Sequence, residues 1–360
     1  MRGAIGLALL VLLCSAPLRG DNSLFTPTPQ TDPTEFGSLA LDPSEALLLD
    51  RGEWFTSVQT SYFNQWAGTW HTARFHLARN EPGPFTDEDI RTLESQFPQD
   101  NIFRLDIEGW RSDLVLARGL PGGATLNVRI PWVEIGGPHW DQIGEAFHDV
   151  FGETDSYRRD LFARGDTFVL FRTNKNISIT AREELERSGV GDATVALAMP
   201  LPSRWFGTQS VAVSLKVPTG ERGTLHGSGG WDSGARWFAV WNERSREYLM
   251  GLGYNKLDGG GNFLGVQRND SWNVLVGVRQ PITRRLSASV RSRVDSSPLR
   301  ELEEAAFGRA TFYHRLGLSL EARDQTLITF EFGNELVPQA GIDADWSFHL
   351  GVTKRFHGSH

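Results

Sequence analysis

The sequence predicts an all-β protein, a transmembrane antiparallel β-barrel of about twelve strands with a helical segment in an extracellular loop, and three observations carry that expectation. From Arg51 onward the chain divides into stretches of about ten residues in which apolar and polar side chains alternate, the period of a strand with two unlike faces. The connections between these stretches alternate short and long. The last stretch, Asp343 to Phe356, sets Trp346, Phe348, Leu350, Val352 and Phe356 on one face. Asp345, Ser347, His349, Gly351, Thr353 and Arg355 fall on the other. A soluble sandwich strand alternates in the same way. An aromatic at each end of the apolar row is what a bilayer adds, because rings with one wet and one dry edge gather at both membrane interfaces.

The N-terminus points to export. Arg2 precedes an apolar run from Ala4 to Leu13, too short to span a bilayer as a helix and about the length of a secretory h-region. The expected division is a signal peptide over 1–20, a periplasmic or plug segment over 21–50 rich in Pro, Thr and Asp, a barrel over 51–356 and a tail over 357–360. Cys14, the only cysteine, falls inside the signal. A lipidated cysteine would need a small residue before it, and Leu13 is not one. The mature chain then has no thiol, which excludes disulfides, zinc thiolates and a cysteine nucleophile. A mean hydropathy of -0.31 does not separate a soluble protein from a barrel, which hides its membrane signal by alternation. Twelve Trp and 38 Gly fit aromatic girdles and tight turns, and a net charge of -8 argues against a nucleic-acid partner.

The expected strands run over 53–66, 102–118, 124–134, 190–201, 207–217, 230–241, 246–255, 271–281, 284–294, 310–322, 326–335 and 344–356. Short turns such as Leu120 to Gly123 and Asn242 to Ser245 alternate with longer connections, a parity that places both chain ends in the periplasm. Greek-key sandwiches have no reason to alternate so. Facing follows strand by strand: Leu126, Val128, Ile130 and Trp132 share one side, as do Val211, Val213, Leu215 and Val217. With that parity Trp132, Trp231, Tyr254, Trp272, Phe312 and Trp346 form an outer belt, and Trp241, Tyr248 and Phe356 an inner one. The second strand conflicts with itself, because Leu105 and Ile107 are in one phase and Leu114 and Leu116 in the other. A bulge between Trp110 and Asp113 is therefore expected. The first strand has Trp54, Val58 and Tyr62 as its best face. In the long loops, His139 to Gly152 has apolar residues at helical spacing, and Phe168 to Thr180 is expected to add a hairpin above the membrane.

The succession Gly189-Val190-Gly191-Asp192, Lys216 to Gly220 and Gly227 to Asp232, together with Asp106-Ile107-Glu108, resembles an uncharacterised proteobacterial outer-membrane family known only as a domain of unknown function. It is more distantly similar to the transporter-like barrels found near aromatic-degradation pathways. The terminal Phe356 likewise resembles the C-terminal aromatic that outer-membrane barrels present to the assembly machinery. These resemblances imply a bacterial outer-membrane location and a transport role, and are silent about the solute.

The inward face is expected to present Arg104, Asp106, Glu108, Arg129, Arg236, Arg279, Arg291, Arg293, Arg315 and Glu331 as a solute pathway, with Lys216, Asp232, Glu321, Asp345, His349 and Arg355. Charges there must be wet or paired. One reading is a channel whose Arg279, Arg291, Arg293 and Arg315 offer a positive track to small polar or anionic solutes. The other is an internal salt-bridge network that fills a closed barrel with a structural or surface-interaction role. A lipid-modifying enzyme is a third reading, in which lipid-facing His314 and neighbouring Ser292 would be the working pair. No Asn or Asp is evidently placed to orient that histidine, so no catalytic residue is assigned. His226 to Gly230 lacks a nucleophile-elbow pattern, and Asp258 to Asn262 lacks the ligand density of a calcium loop. The expected partners are outer-membrane lipid, a small solute and the assembly machinery, with no cofactor and no metal.

Overall fold

The computed structural model describes residues 26–27, 36, 38–69, 71–72, 74–75, 86–98, 100–136, 167–172, 178–181, 185–202, 207–258, 262–263, 266–299, 310–322, 325–335 and 346–356. The expected signal segment, the expected helix at His139 to Gly152, the ring of Trp346 and the expected tail lie outside them. The strands are β1 (Trp54–Gly68), β2 (Ile102–Gly119), β3 (Thr125–Ile135), β4 (Phe168–Arg172), β5 (Ser178–Ala181), β6 (Ser188–Val190), β7 (Ala193–Leu201), β8 (Thr208–Val217) and β9 (Asp232–Glu243). They continue as β10 (Arg246–Lys256), β11 (Asn262–Phe263), β12 (Val266–Gln267), β13 (Ser271–Pro281), β14 (Leu286–Asp295), β15 (Thr311–Glu321), β16 (Thr326–Glu335) and β17 (Trp346–Phe356).

Twelve of these form a closed antiparallel barrel: β1 to β3, β7 to β10 and β13 to β17, each paired with its neighbour in sequence. β1 and β17 close the ring, from Trp54 opposite Phe356 to Phe63 opposite Ser347. Closure leaves no strand edge, the condition for a sheet in hydrocarbon, where no water satisfies a bare N–H. The short connections β2–β3, β9–β10, β13–β14 and β15–β16 share the end where Trp54 and Phe356 meet, the periplasmic end. The β9–β10 turn is only Arg244-Ser245, and Arg244 adopts φ 58 there, the left-handed geometry that a two-residue hairpin demands.

The outward phase is apolar and exposed along the barrel, as in Val213, Val276, Leu316, Phe330 and Leu350. Trp132, Trp231, Tyr254, Trp272 and Phe312 ring its outer end, and Trp54 and Phe356 are exposed at the inner end, where Trp241 and Tyr248 stack at 5.4 Å. This wall places the chain in the bacterial outer membrane.

The expected bulge in β2 is absent. Its pairing with β1 runs unbroken from Arg118 to Arg104, and its pairing with β3 from Gly119 to Gly109. The two conflicting phases are both real, because β2 has 18 residues and its upper half stands above the membrane. There its inner face, Phe103, Leu105 and Ile107, packs with Phe36, Phe63 and Phe171 in an apolar cap inside the barrel mouth. Its outer face is covered too. Ile102, with Phe168 and Leu170 of β4, packs against Ile90 and Leu93 of helix α1 (Asp87–Gln96). The start of α1 is fixed by a reciprocal capping box between Thr86 and Asp89. β4 and β5 form the hairpin expected above the membrane. Tyr62, expected against lipid, also lies above it, buried with its hydroxyl donating to Glu108 at 2.8 Å.

The facing of the wall is testable at Leu316, midway along β15. Leu316→Arg should lower stability in lipid vesicles by about 2–4 kcal/mol, measured by reversible urea unfolding, because a guanidinium there meets hydrocarbon. A loss no larger than that of Leu316→Ala would place this face elsewhere.

Candidate functional site

The barrel's inward phase is polar, and a segment of the chain lies against it. Residues 36 and 38–50 cross the lumen from the outer mouth, where Phe36 meets Phe63 edge-on at 4.9 Å, to the inner end, where Asp50 lies against Gly119. A side chain at position 119 would strike the Asp50 carbonyl at 1.8 Å, so the glycine is what admits the segment. Midway, Pro43–Ala46 forms a short 3-10 turn with Asp42 as its cap and Pro43 leading.

That turn carries two carboxylates to two buried wall arginines. Asp42 pairs with Arg129, which also lies 3.6 Å from Asp113, and Glu45 lies 3.3 Å from Arg236. Further hydrogen bonds hold the same stretch. Ser214 donates to Glu45 at 3.0 Å, Leu49 N–H donates to Thr125 at 2.8 Å, and Arg236 donates to the Ala40 carbonyl at 3.3 Å. Leu41 fills an apolar pocket with Phe238, Leu249 and Leu275, and Leu47 and Leu49 pack on Phe55, Val115 and Ala117. Cavities beside the segment include one of about 20 Å³ next to Glu45, Arg129 and Lys216. Another of about 10 Å³ is lined by Leu41, Pro43, Arg291, Arg293 and Arg315. Each has room for roughly one water.

The rest of the wall is knitted by ion pairs. Arg279 lies 3.4 Å from Glu247, and Arg293 lies 2.5 Å from Asp295 and over the ring of Tyr313. Arg291 pairs with Glu331 and donates to the Thr26 carbonyl at 3.1 Å. The track expected to be positive is therefore matched by acids at Arg279, Arg291 and Arg293. His349 is bracketed by Ser61 at 2.5 Å and Ser347 at 3.1 Å.

At the mouth a second cluster ties down the loop after β8. Lys216 lies 2.6 Å from Asp192 and 3.4 Å from Asp232, which in turn takes both ends of Arg268 at 2.9 Å. Asp192 also accepts from the backbone of Gly220 and Ser228, so a single carboxylate clasps both ends of the loop. Burial holds the His226 imidazole of this loop below its ordinary pKa.

Of the residues expected along a solute pathway, Arg129, Arg236, Arg279, Arg291, Arg293, Arg315 and Glu331 face inward and are buried. Arg104, Asp106 and Glu108 do not face the lumen. The unbroken register of β2 puts them in the phase of Leu114 and Leu116, on the outer side of the extension above the membrane, where Arg104 lies over the ring of Phe168. Sequence reasoning missed Asp42 and Glu45. Their signal was the Asp-Pro-Ser-Glu string, a cap pattern inside a stretch otherwise without strand periodicity.

No family model matches the chain, and no curated protein matches it significantly. Solved structures of similar fold include an outer-membrane channel from Pseudomonas putida F1, 12% identical with a TM-score of 0.53, over 88% of this chain and 100% of that one. Others are the translocator domain of the autotransporter NalP from Neisseria meningitidis (10% identity, TM-score 0.40, 86% and 90% covered) and the P. putida toluene transporter TodX (8%, 0.38, 87% and 92%). At 12% identity the likeness to the P. putida F1 channel is one of fold.

Lys216→Met should cost about 3 kcal/mol or more, since it leaves the buried Asp192 carboxylate without its cation. Arg187→Ala, which removes an exposed partner of Glu221, should cost under about 1 kcal/mol. Urea unfolding in detergent compares the two, and equal losses would contradict the clasp.

Proposed function

We propose that the protein is an outer-membrane channel for small polar, preferentially anionic solutes, stoppered by its own residues 21–50. The observation that carries the reading is the kind of contact holding the segment. A permanent core would be expected to be apolar, whereas Asp42 and Glu45 reach wall arginines that water can solvate once the segment leaves. Passage needs no cofactor, since it is set by pore width and lining charge. Withdrawal of the segment would take two acids from the lumen and leave Arg129 and Arg236 facing it, so the open pore is more positive than the closed one. Lipid contacts the outward wall, and the strand ending at Phe356 is the segment that the assembly machinery would engage. The solute path comprises Arg129, Arg236, Arg279, Arg291, Arg293, Arg315 and Glu331, and no enzymatic step is part of it.

Planar-bilayer recording tests this. The full chain should conduct little, and a variant lacking residues 21–46 should open steady currents with a reversal potential favouring anions. Arg291→Ala with Arg293→Ala in that shortened chain should reduce the anion preference at least twofold. Silence of the shortened, heat-modifiable barrel would favour the closed structural barrel instead.

A further inference from the structure

Outward positions of a barrel strand hold aliphatic and aromatic side chains because a polar group in hydrocarbon finds no water to bond. Two neighbouring strands depart from that rule at the same place with an ionisable group, unlike β1 and β2, whose outward register partners Thr60 and Ser112 bond each other at 3.0 Å as neutral hydroxyls. Ser292 of β14 and His314 of β15 are register partners, both in the outward phase, and Ser292 Oγ lies 2.9 Å from His314 Nδ1. On the other side of β15, the register sets Asn334 of β16 opposite His314. Serine, histidine and asparagine thus occupy one row across three adjacent strands.

The charged groups elsewhere on this face have a different explanation. Arg118 and Lys354 lie over the inner-belt rings of Trp54 and Phe356, at 4.9 and 5.2 Å, where long side chains reach the interface. Among the described outward positions between the belts, His314 is then the one remaining ionisable residue. Its depth is also specific. His314 is one outward step below Phe312 of the outer belt, and Ser292 one step below Val294, the register partner of Phe312. The row sits in the outer leaflet just under the interface, the level at which acyl chains join their headgroups. Mutual hydrogen bonding makes the Ser292 and His314 pair tolerable there but gives no reason for its presence, since valine or leucine would be cheaper.

We propose that Ser292 and His314 are a nucleophile and general base facing the outer leaflet, and that they cleave an acyl ester of a membrane lipid. His314 takes the hydroxyl proton as Ser292 Oγ attacks the ester carbonyl, and the carbon to alcohol-oxygen bond breaks as the imidazolium returns that proton to the leaving oxygen. An interfacial water, deprotonated by His314, then attacks the acyl-serine and releases the fatty acid, the proton returning to Ser292. The activity belongs to the outer wall and does not depend on solute passage through the lumen.

The test uses the full-length barrel refolded in detergent and mixed with vesicles of phosphatidylethanolamine or with lipid A. Release of fatty acid is expected from one or both, abolished in Ser292→Ala and His314→Ala variants that remain heat-modifiable. The two lipids distinguish a glycerophospholipid ester from a lipid A ester. A fluorophosphonate should label Ser292 in the native barrel, as read by peptide mass. No release from either lipid, or release that survives Ser292→Ala, overturns the proposal.

Discussion

Closure of the sheet between β1 and β17 is the constraint on which everything else in the molecule rests. With twelve strands paired in a ring, each backbone donor and acceptor in the membrane finds its partner in a neighbouring strand. Each strand is then forced to divide its side chains between lipid and lumen. An apolar side chain on the lumen face gains nothing unless another apolar group covers it, as Leu41 covers Leu275, and a charge on the lipid face would be unsolvated. The wall sorts itself accordingly, from Val276 outward and Asn273 inward to Leu316 outward and Arg315 inward.

The lumen inherits the cost of that sorting. Buried arginines such as Arg129, Arg236 and Arg291 would each be several kcal/mol out of balance if left dry and alone. Wall acids answer some of them, as Glu331 does for Arg291. Others are answered by the segment from Phe36 to Asp50, which supplies Asp42 and Glu45 at the height of the wall cations and apolar residues between them. The same 3-10 turn that brings Asp42 to Arg129 also uses Asp42 to accept from the Ser44 backbone at 2.7 Å. Turn geometry and wall charge are thereby coupled, and displacing one disturbs the other.

How much of this was legible in the sequence follows from the range of each interaction. Strand facing is local: Leu126 and Val128 declare their side by spacing alone, and the belts followed because aromatics mark the ends of each apolar row. β2 misled because its two halves obey different environments. Leu114 faces lipid, while Leu105, in the opposite phase, faces an apolar cap above the membrane that only the three-dimensional structure assembles from Phe36, Val169 and Phe171. A phase conflict in a strand longer than the bilayer needs is a sign that it leaves the membrane, rather than of a bulge. The pairing of Asp42 with Arg129 joins residues far apart in the chain and has no periodicity to reveal it. The position of Asn334 opposite His314 was hidden for a related reason, because it depends on the register between β15 and β16, which the spacing of apolar residues leaves open by two.

The fixing of the segment also bears on what kind of closure it provides. A buried ion pair is costly to break when the remaining partner stays dry, but an arginine exposed by withdrawal of this segment would face an aqueous lumen, where the desolvation already suffered in the closed state is recovered. The ionic contacts therefore set register more than they set affinity. Leu41 against Phe238, Leu249 and Leu275, and Leu47 and Leu49 against Phe55 and Val115, supply the net attraction. Burying an aliphatic side chain of that size is worth about 1.5–3 kcal/mol before the ordering of the segment is set against it. The fifteen positions from 36 to 50 lose backbone freedom worth about 1–2 kcal/mol each, so three leucines alone cannot hold them. Docking is a near balance of terms, in which the hydrogen bonds to Thr125, Asn127 and Ser214 matter. A stopper held by many small contributions, each replaceable by water, is one that the barrel can keep in place without being committed to it.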